Sequence, residues 1–300
     1  MTDPAASFRS GFVAVVGRPN VGKSTLTNQL VGEKVAIVSD RPQTTRRAVR
    51  GVCNGPAFQV VLLDTPGIHR PRTLLGERTN ELARSALREV DVACLVVDAT
   101  AAIGPGDRFV AGLLHQVDTP RILVVNKVDA ATPAAIVDQL GRAVAELGEF
   151  DAYVPVSART GERCDALRDE FVARLPEGPR YFPEGVVTDQ PETVIAAELV
   201  REQLLGVARE ELPHSIAVRA EVDEEESRDD LLWLHVDIRV ERQSQKGIVI
   251  GRGGAVLKEA GTAARQQLEA LLGVKVHLDI RVRVEKDWQR RPAGLDRMGF

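Results

Sequence analysis

Three short stretches of this sequence have the residue types and spacing needed to hold a triphosphate and read a base. Residues 17 to 24, GRPNVGKS, satisfy GxxxxGK[ST] and stand between an apolar run and a stretch of helical period. Gly17 and Gly22 let the backbone of Arg18, Pro19, Asn20 and Val21 turn tightly enough for the loop N–H groups to surround phosphates. Lys23 supplies a point charge to the β and γ phosphates, and Ser24, followed by Thr25, offers a hydroxyl to Mg²⁺. The second stretch is DTPG, residues 64 to 67. Asp64 can hold the Mg²⁺ shell and the Gly67 amide can reach a γ-phosphate, with Thr65 and Pro66 completing the turn between them. The third is NKVD, residues 126 to 129. Asp129 can accept hydrogen bonds from the guanine N1–H and 2-amino group, which adenine does not offer; Asn126 can bond the base edge and brace the loops. Lys127 can lay its stem along the base face, and the backbone at Ser157 and Ala158 can donate to the guanine oxygen. Together these stretches imply GTP or GDP with Mg²⁺ as the bound cofactor set.

These residues must be carried to one place. Between Gly11 and about Leu175 the apolar runs GFVAVVG, FQVVLLDTPG, VACLVVDAT, RILVVNKVD and YVPVSA alternate with amphipathic stretches of helical length. Continuous β-branched runs are what strands buried on both faces require, and the helices between them are what parallel connections require. The expected fold is α/β: a doubly wound P-loop domain over residues 8–176, a Pro- and Gly-rich linker over 177–192, and a smaller α+β domain over 193–290. In the second domain the pattern predicts helix, strand, strand, Gly loop, helices and strand, with the acidic DEEESRDD, residues 223 to 230, as a hairpin loop between two strands.

In that domain IVIGRGGAVLKEAG places Gly251, Arg252, Gly253 and Gly254 between an apolar segment and a helix. The loop and element order resemble type II KH domains, whose GxxG loop clamps the backbone of single-stranded nucleotides. Lys246, Lys258 and Arg265 extend the basic surface, with Ile248 and Ile250 as an apolar floor. Residues 241 to 291 hold eleven basic and six acidic residues, about +5, although the whole chain is −4. Trp233 and Trp288 are expected to pack the core or an edge, leaving few aromatics to stack bases.

Composition narrows the classes further. The chain is 44% hydrophobic and 27% charged, and holds no apolar run of membrane-spanning length. MTDPAASFRS lacks the features of a secretory signal, so the expected compartment is the cytoplasm. Cys53, Cys94 and Cys164 form no CxxC pair and the five histidines lack metal-ligand spacing, which excludes a zinc site.

The stretch QTTRR, residues 43 to 47, resembles the first switch of translation-factor-type GTPases. One threonine there, Thr45 in preference to Thr44, is expected to close onto Mg²⁺ and the γ-phosphate. With GRPNVGKSTL, DTPG, NKVD, VSARTG, RYFPEGVVTDQ and KGIVIGRGG, the chain is similar over nearly its whole length to the Era family of bacterial GTPases. A hydrophobic Ile68 follows DTPG where many GTPases carry a water-orienting glutamine. The resemblance implies that Asn20 instead helps bind a monovalent cation, K⁺, beside the phosphates, joining Lys23, Thr45, Asp64 and Gly67 in hydrolysis. It also implies slow intrinsic GTPase turnover, a monomer, binding of the 3′ end of 16S rRNA through the KH domain, a role in 30S subunit assembly, and peripheral association with the membrane. The alternative expectation is a GTP-binding RNA-binding protein in which hydrolysis is not the working step.

Overall fold

The computed structural model describes residues 8–39, 41, 44–69, 71, 73–207 and 215–300. Among these, β1 (Arg9–Val16), β2 (Val49–Asn54), β3 (Phe58–Asp64), β4 (Val92–Asp98), β5 (Arg121–Asn126) and β6 (Ala152–Val156) form one sheet in the order β2-β3-β1-β4-β5-β6. All neighbours are parallel except β2, which runs antiparallel to β3 at the edge. The strand period of two splits β1 between two cores. Val13 and Val15 face one core with Leu26, Leu167 and Phe171. Ala14 and Val16 face the other with Val110, Leu114, Ala143 and Leu147. Helices α1 (Lys23–Val31) and α5 (Cys164–Arg174) therefore cover one face, and α2 (Leu74–Ala86), α3 (Pro105–Leu114) and α4 (Pro133–Leu147) the other. The loops after β1, β3, β5 and β6 carry residues 17–24, 64–67, 126–129 and 157–158, all at the carboxyl ends of parallel strands, where ligands of such sheets bind.

The edge strand β2 is a departure from the sequence reading. VRGVCN is short and interrupted by Gly51, where a side chain would press on Val31 and Thr27 of α1. The Pro- and Gly-rich stretch after residue 176 is ordered along this edge. Gln59 is wholly buried; its amide donates to the Phe182 carbonyl at 3.0 Å and its oxygen accepts from the N–H groups of Tyr181 and Phe182. The Val52 N–H donates to the Val187 carbonyl, and the Asn54 amide to that of Val186. The three cysteines are buried free thiols, and burial raises all three.

A second compact unit gathers residues 190–300 with the short segments 39–44 and 72–75. Its order is α6 (Glu192–Val207), β7 (Ala217–Val222), β8 (Leu231–Val240), α7 (Gln243–Ile250), α8 (Ala255–Leu272), β9 (Lys275–Val284) and α9 (Pro292–Arg297). The three strands pair as β7-β8-β9, antiparallel then parallel, with β9 at an edge. Ala260, Ala264 and Leu268, spaced by four, bury one stripe of α8. The acidic loop between β7 and β8 turns on the Asp223 carboxylate, which accepts the Glu225 and Glu226 N–H groups. Trp288 lies beyond the end of β9 and is fully buried with Ala217, Leu295 and Met298, its indole N–H donating to the Ser215 carbonyl at 3.0 Å.

Candidate functional site

The phosphate loop turns through left-handed backbone at Asn20 and Gly22. At Gly22 a Cβ would lie 2.3 Å from the Asn126 amide nitrogen, so no other residue fits without breaking that neighbour's contacts. Lys23 closes the loop from inside, its ammonium donating to the Gly17 and Arg18 carbonyls at 3.2 and 3.1 Å. The Arg18 side chain turns away to pair with Asp107 of α3 at 3.2 Å, leaving only its backbone on the loop. Val21 packs in the core, Thr25 is half-buried on α1, and the exposed Asn20 stands at the loop's tip.

Three oxygen-bearing side chains far apart in sequence meet beside Lys23. The Ser24 hydroxyl donates to Asp64 Oδ2 at 2.7 Å and lies 2.9 Å from the Thr45 hydroxyl, which itself donates to Asp64 Oδ2 at 3.2 Å. The Thr44 hydroxyl instead donates to the Arg41 carbonyl at 2.6 Å, inside its own turn. Gln43 of the same stretch lies outside the described residues. Asp64 is wholly buried, and its Oδ1 has no hydrogen-bond partner. Burial raises its carboxyl to about 6 against the opposing pull of Lys23, Ser24 and Thr45. Burial likewise lowers Lys23 to about 8 against the attraction of Asp64. A buried carboxylate oxygen left over among two hydroxyls fits a hard cation with oxygen ligands.

In the turn after β3, the Thr65 hydroxyl donates to the Val15 carbonyl at 2.9 Å and Pro66 and Gly67 are buried, so the turn is fixed against β1. Ile68 is 1% exposed and belongs to the core on the α3 side. A buried hydrocarbon side chain offers a water no hydrogen-bond partner.

At the base end, Asn126 braces two loops: its amide donates to the Val21 carbonyl at 2.8 Å and its oxygen accepts the Ala158 N–H at 2.9 Å. The Ser157 N–H donates to the Glu162 carbonyl at 3.0 Å. Both amides expected to face the guanine oxygen thus already donate within the protein. The Ser157 hydroxyl donates to Asp129 Oδ1 at 2.6 Å and Arg159 pairs with Oδ2 at 2.6 Å; the Ser157 hydrogen bond, with the Arg159 charge, holds this carboxyl below its ordinary value. Lys127 has a left-handed backbone, and its ammonium reaches the Asn20 carbonyl and Asp98 Oδ2. Asp98 went unnoticed in the sequence, where it reads only as the polar end of a strand. Burial pushes its carboxyl up, but hydrogen bonds from Lys127 and Thr100 outweigh this and hold it below the usual range.

In the second unit α7 ends at Gly251, where a Cβ would meet Val256 at 2.5 Å. Arg252 and Gly253 are exposed, and Gly253 and Gly254 take left-handed backbone with open space around them before α8 begins. Beside this loop a shallow groove of about 420 Å³ is lined by Leu257, Lys258, Gly261, Arg265, His277 and Ile280, among others. The apolar floor comes from α8 and β9. Ile248 points outward at 53% exposure, while Lys246 and Ile250 are half-buried on α7; none of the three lines the groove. Leu257 and Ile280 escaped notice because the groove forms only when α8 and β9 come together.

Fold and site define a P-loop GTPase domain followed by a KH domain. The family model described as 50S ribosome-binding GTPase matches residues 12–127, and the KH domain model matches residues 211–289. The chain is 56% identical to GTPase Era of Mycobacterium tuberculosis across 98% of its own length and 99% of that protein's, and 54% identical to GTPase Era of Mycolicibacterium smegmatis with the same coverage. It belongs to the GTPase Era family and is a GTPase. A crystal structure of a tyrosine-to-alanine variant of Aquifex aeolicus Era bound to GDP·AlF4⁻ superposes with a TM-score of 0.93 at 39% identity, covering 97% of this chain and 99% of that one. Era in complex with MgGDPNP and nucleotides 1506–1542 of 16S ribosomal RNA also superposes with a TM-score of 0.93, at 40% identity and the same coverage.

Proposed function

We propose that this GTPase is a nucleotide-controlled RNA clamp that holds the 3′ end of 16S rRNA and assists assembly of the 30S subunit. The observation that carries the nucleotide half is the meeting of the Ser24 and Thr45 hydroxyls on Asp64 Oδ2, which leaves the buried Asp64 Oδ1 unpartnered. Ser24, Thr45 and Asp64 would hold Mg²⁺, which when bound neutralises charge on the β and γ phosphates. Lys23, kept desolvated beside Gly17, adds a second cation to the same oxygens, and the Gly67 amide senses the third phosphate. Asn126 holds the phosphate loop and the 157–158 loop in register while Asp129 reads guanine. Following the family resemblance, Asn20 supplies an oxygen ligand for K⁺ at the loop's exposed tip. On this reading the Thr45 contact depends on the γ-phosphate, so nucleotide hydrolysis releases the segment around it.

The RNA half rests on the GRGG turn and its groove, and on the relative solved with a 16S rRNA fragment. Gly253 and Gly254 leave the backbone open to phosphates, Arg252 and Lys258 add charge, and Leu257 and Ile280 receive bases. Multiple-turnover GTP hydrolysis tests the enzyme half: Asp64→Asn is expected to slow it by about 100-fold or more. Retention of native turnover in that variant would remove the metal assignment. A native protein that binds GTP tightly without turnover would instead favour nucleotide as a structural ligand.

A further inference from the structure

One aromatic pair lies at the edge of the groove. Trp233 of β8 and His277 of β9 are register partners on adjacent parallel strands, and their rings stack with centroids 3.7 Å apart and planes 30° from parallel. Among the described residues β9 is an edge strand, so His277 has a neighbouring strand there on one side only. His277 is exposed and borders the groove along the β9 edge, its side chain on the sheet face opposite Ile280 and α8, and Trp233 beside it is half-buried. The Trp233 backbone is fixed on both sides of its peptide: its N–H donates to the Ser227 hydroxyl at 3.0 Å and its carbonyl accepts the Asp223 N–H at 2.9 Å. The indole covers one face of the imidazole, and the other face is turned to the open edge of β9 that borders the groove.

We propose that the Trp233–His277 pair is a base-stacking subsite, which takes the nucleobase of a nucleotide passing from the groove across the β9 edge. Single-stranded nucleic acids are held by laying bases on aromatic faces, histidine included, and the contact tolerates any base because every base has a π-face. Lys258 and Arg265 on the same groove supply charge for the adjoining phosphates. A flat ring held in place before the ligand arrives loses little freedom when the base docks. The subsite rests on the RNA-clamp reading and adds to it a stacking contact that the GRGG turn, which grips backbone, does not provide.

The probe is a short single-stranded RNA of the 16S 3′-end sequence carrying 2-aminopurine at one position after another, mixed with full-length protein and a GTP analogue. Stacking quenches 2-aminopurine, so one position is expected to lose fluorescence on binding. His277→Ala should restore that signal and weaken RNA binding by about five-fold or more, with His277→Phe retaining both. Trp233→Leu, which removes the backing ring, should show an intermediate loss. A cross-strand aromatic pair also stabilises a sheet, so each variant is first matched to the native protein by thermal melting, and Trp233→Phe replaces Trp233→Leu where the latter unfolds. Native affinity and native quenching in His277→Ala, with binding still lost in Gly253→Asp, would overturn the stacking subsite and leave the clamp standing. No RNA binding by the native protein would overturn both.

Discussion

The Lys127 ammonium lies 2.7 Å from Asp98 Oδ2 and 2.8 Å from the Asn20 carbonyl oxygen. One side chain thereby joins the end of β4, the phosphate loop and the base-reading loop. Lys127 is held in a left-handed backbone, so its stem is aimed by this anchor and not by an extended strand. Asp98→Asn keeps the shape and removes the charge. Guanine-nucleotide binding, followed with a fluorescent GDP, is expected to weaken by about five-fold, roughly 1 kcal/mol, with turnover at saturating GTP unchanged. The same loss should be absent when Asp98→Asn is made in a Lys127→Met background, because the carboxylate acts through the ammonium.

On the proposed reading, base choice depends on Asp129 presenting two acceptor oxygens, kept ionised by the Ser157 hydroxyl and Arg159. Asp129→Asn exchanges one acceptor for a donor, which opposes the guanine 2-amino group and suits the second carbonyl of xanthine. GTP binding should fall by about ten-fold or more while XTP binding improves; competition between the two nucleotides measures the exchange.

Potassium should raise GTP turnover above the rate in sodium at equal ionic strength, and Asn20→Ala should erase the difference. Native rates that are the same in both salts would remove the cation from the mechanism.

A pH dependence is expected in the second unit, where His235 sits between Asp223 at 2.8 Å and Asp279 at 3.0 Å. The hydrogen bond to Asp223, then that to Asp279, raises the imidazole above its ordinary value. A raised basic group binds more protons folded than unfolded, so its stabilisation is fully present below about pH 6.5 and disappears as pH rises through the folded value. His235→Asn should therefore lower the melting temperature at pH 6 and have little effect at pH 9; equal effects at both would show that the carboxylates do not hold an imidazolium.

The sequence was most legible where chemistry demands a contiguous string. GRPNVGKS, DTPG and NKVD each sit on one turn after one strand, so their spacing alone locates the loops. What escaped was made by contacts between distant segments. Asp98 finds Lys127 29 positions away, Arg18 turns to Asp107, and the groove floor needs Leu257 of α8 beside Ile280 of β9. Ile248 and Ile250, expected on that floor because they precede the glycines, lie on α7, whose inward face is carried by Gln245 and Val249. Strand β2 was hidden for a different reason: an edge strand broken by Gly51 has no continuous apolar run to announce it.

On the proposed function, nucleotide state governs an RNA grip made at the GRGG turn. The direct measurement is the affinity of the full-length protein for a short single-stranded RNA from the 16S 3′ end, with a GTP analogue or with GDP, beside the same titrations of Gly253→Asp. The substitution adds negative charge where the glycine meets only open space. Native affinity is expected to differ between the two nucleotides, and binding is expected to be lost in the variant under both. Equal native affinity with either nucleotide, or full binding by Gly253→Asp, would contradict that function.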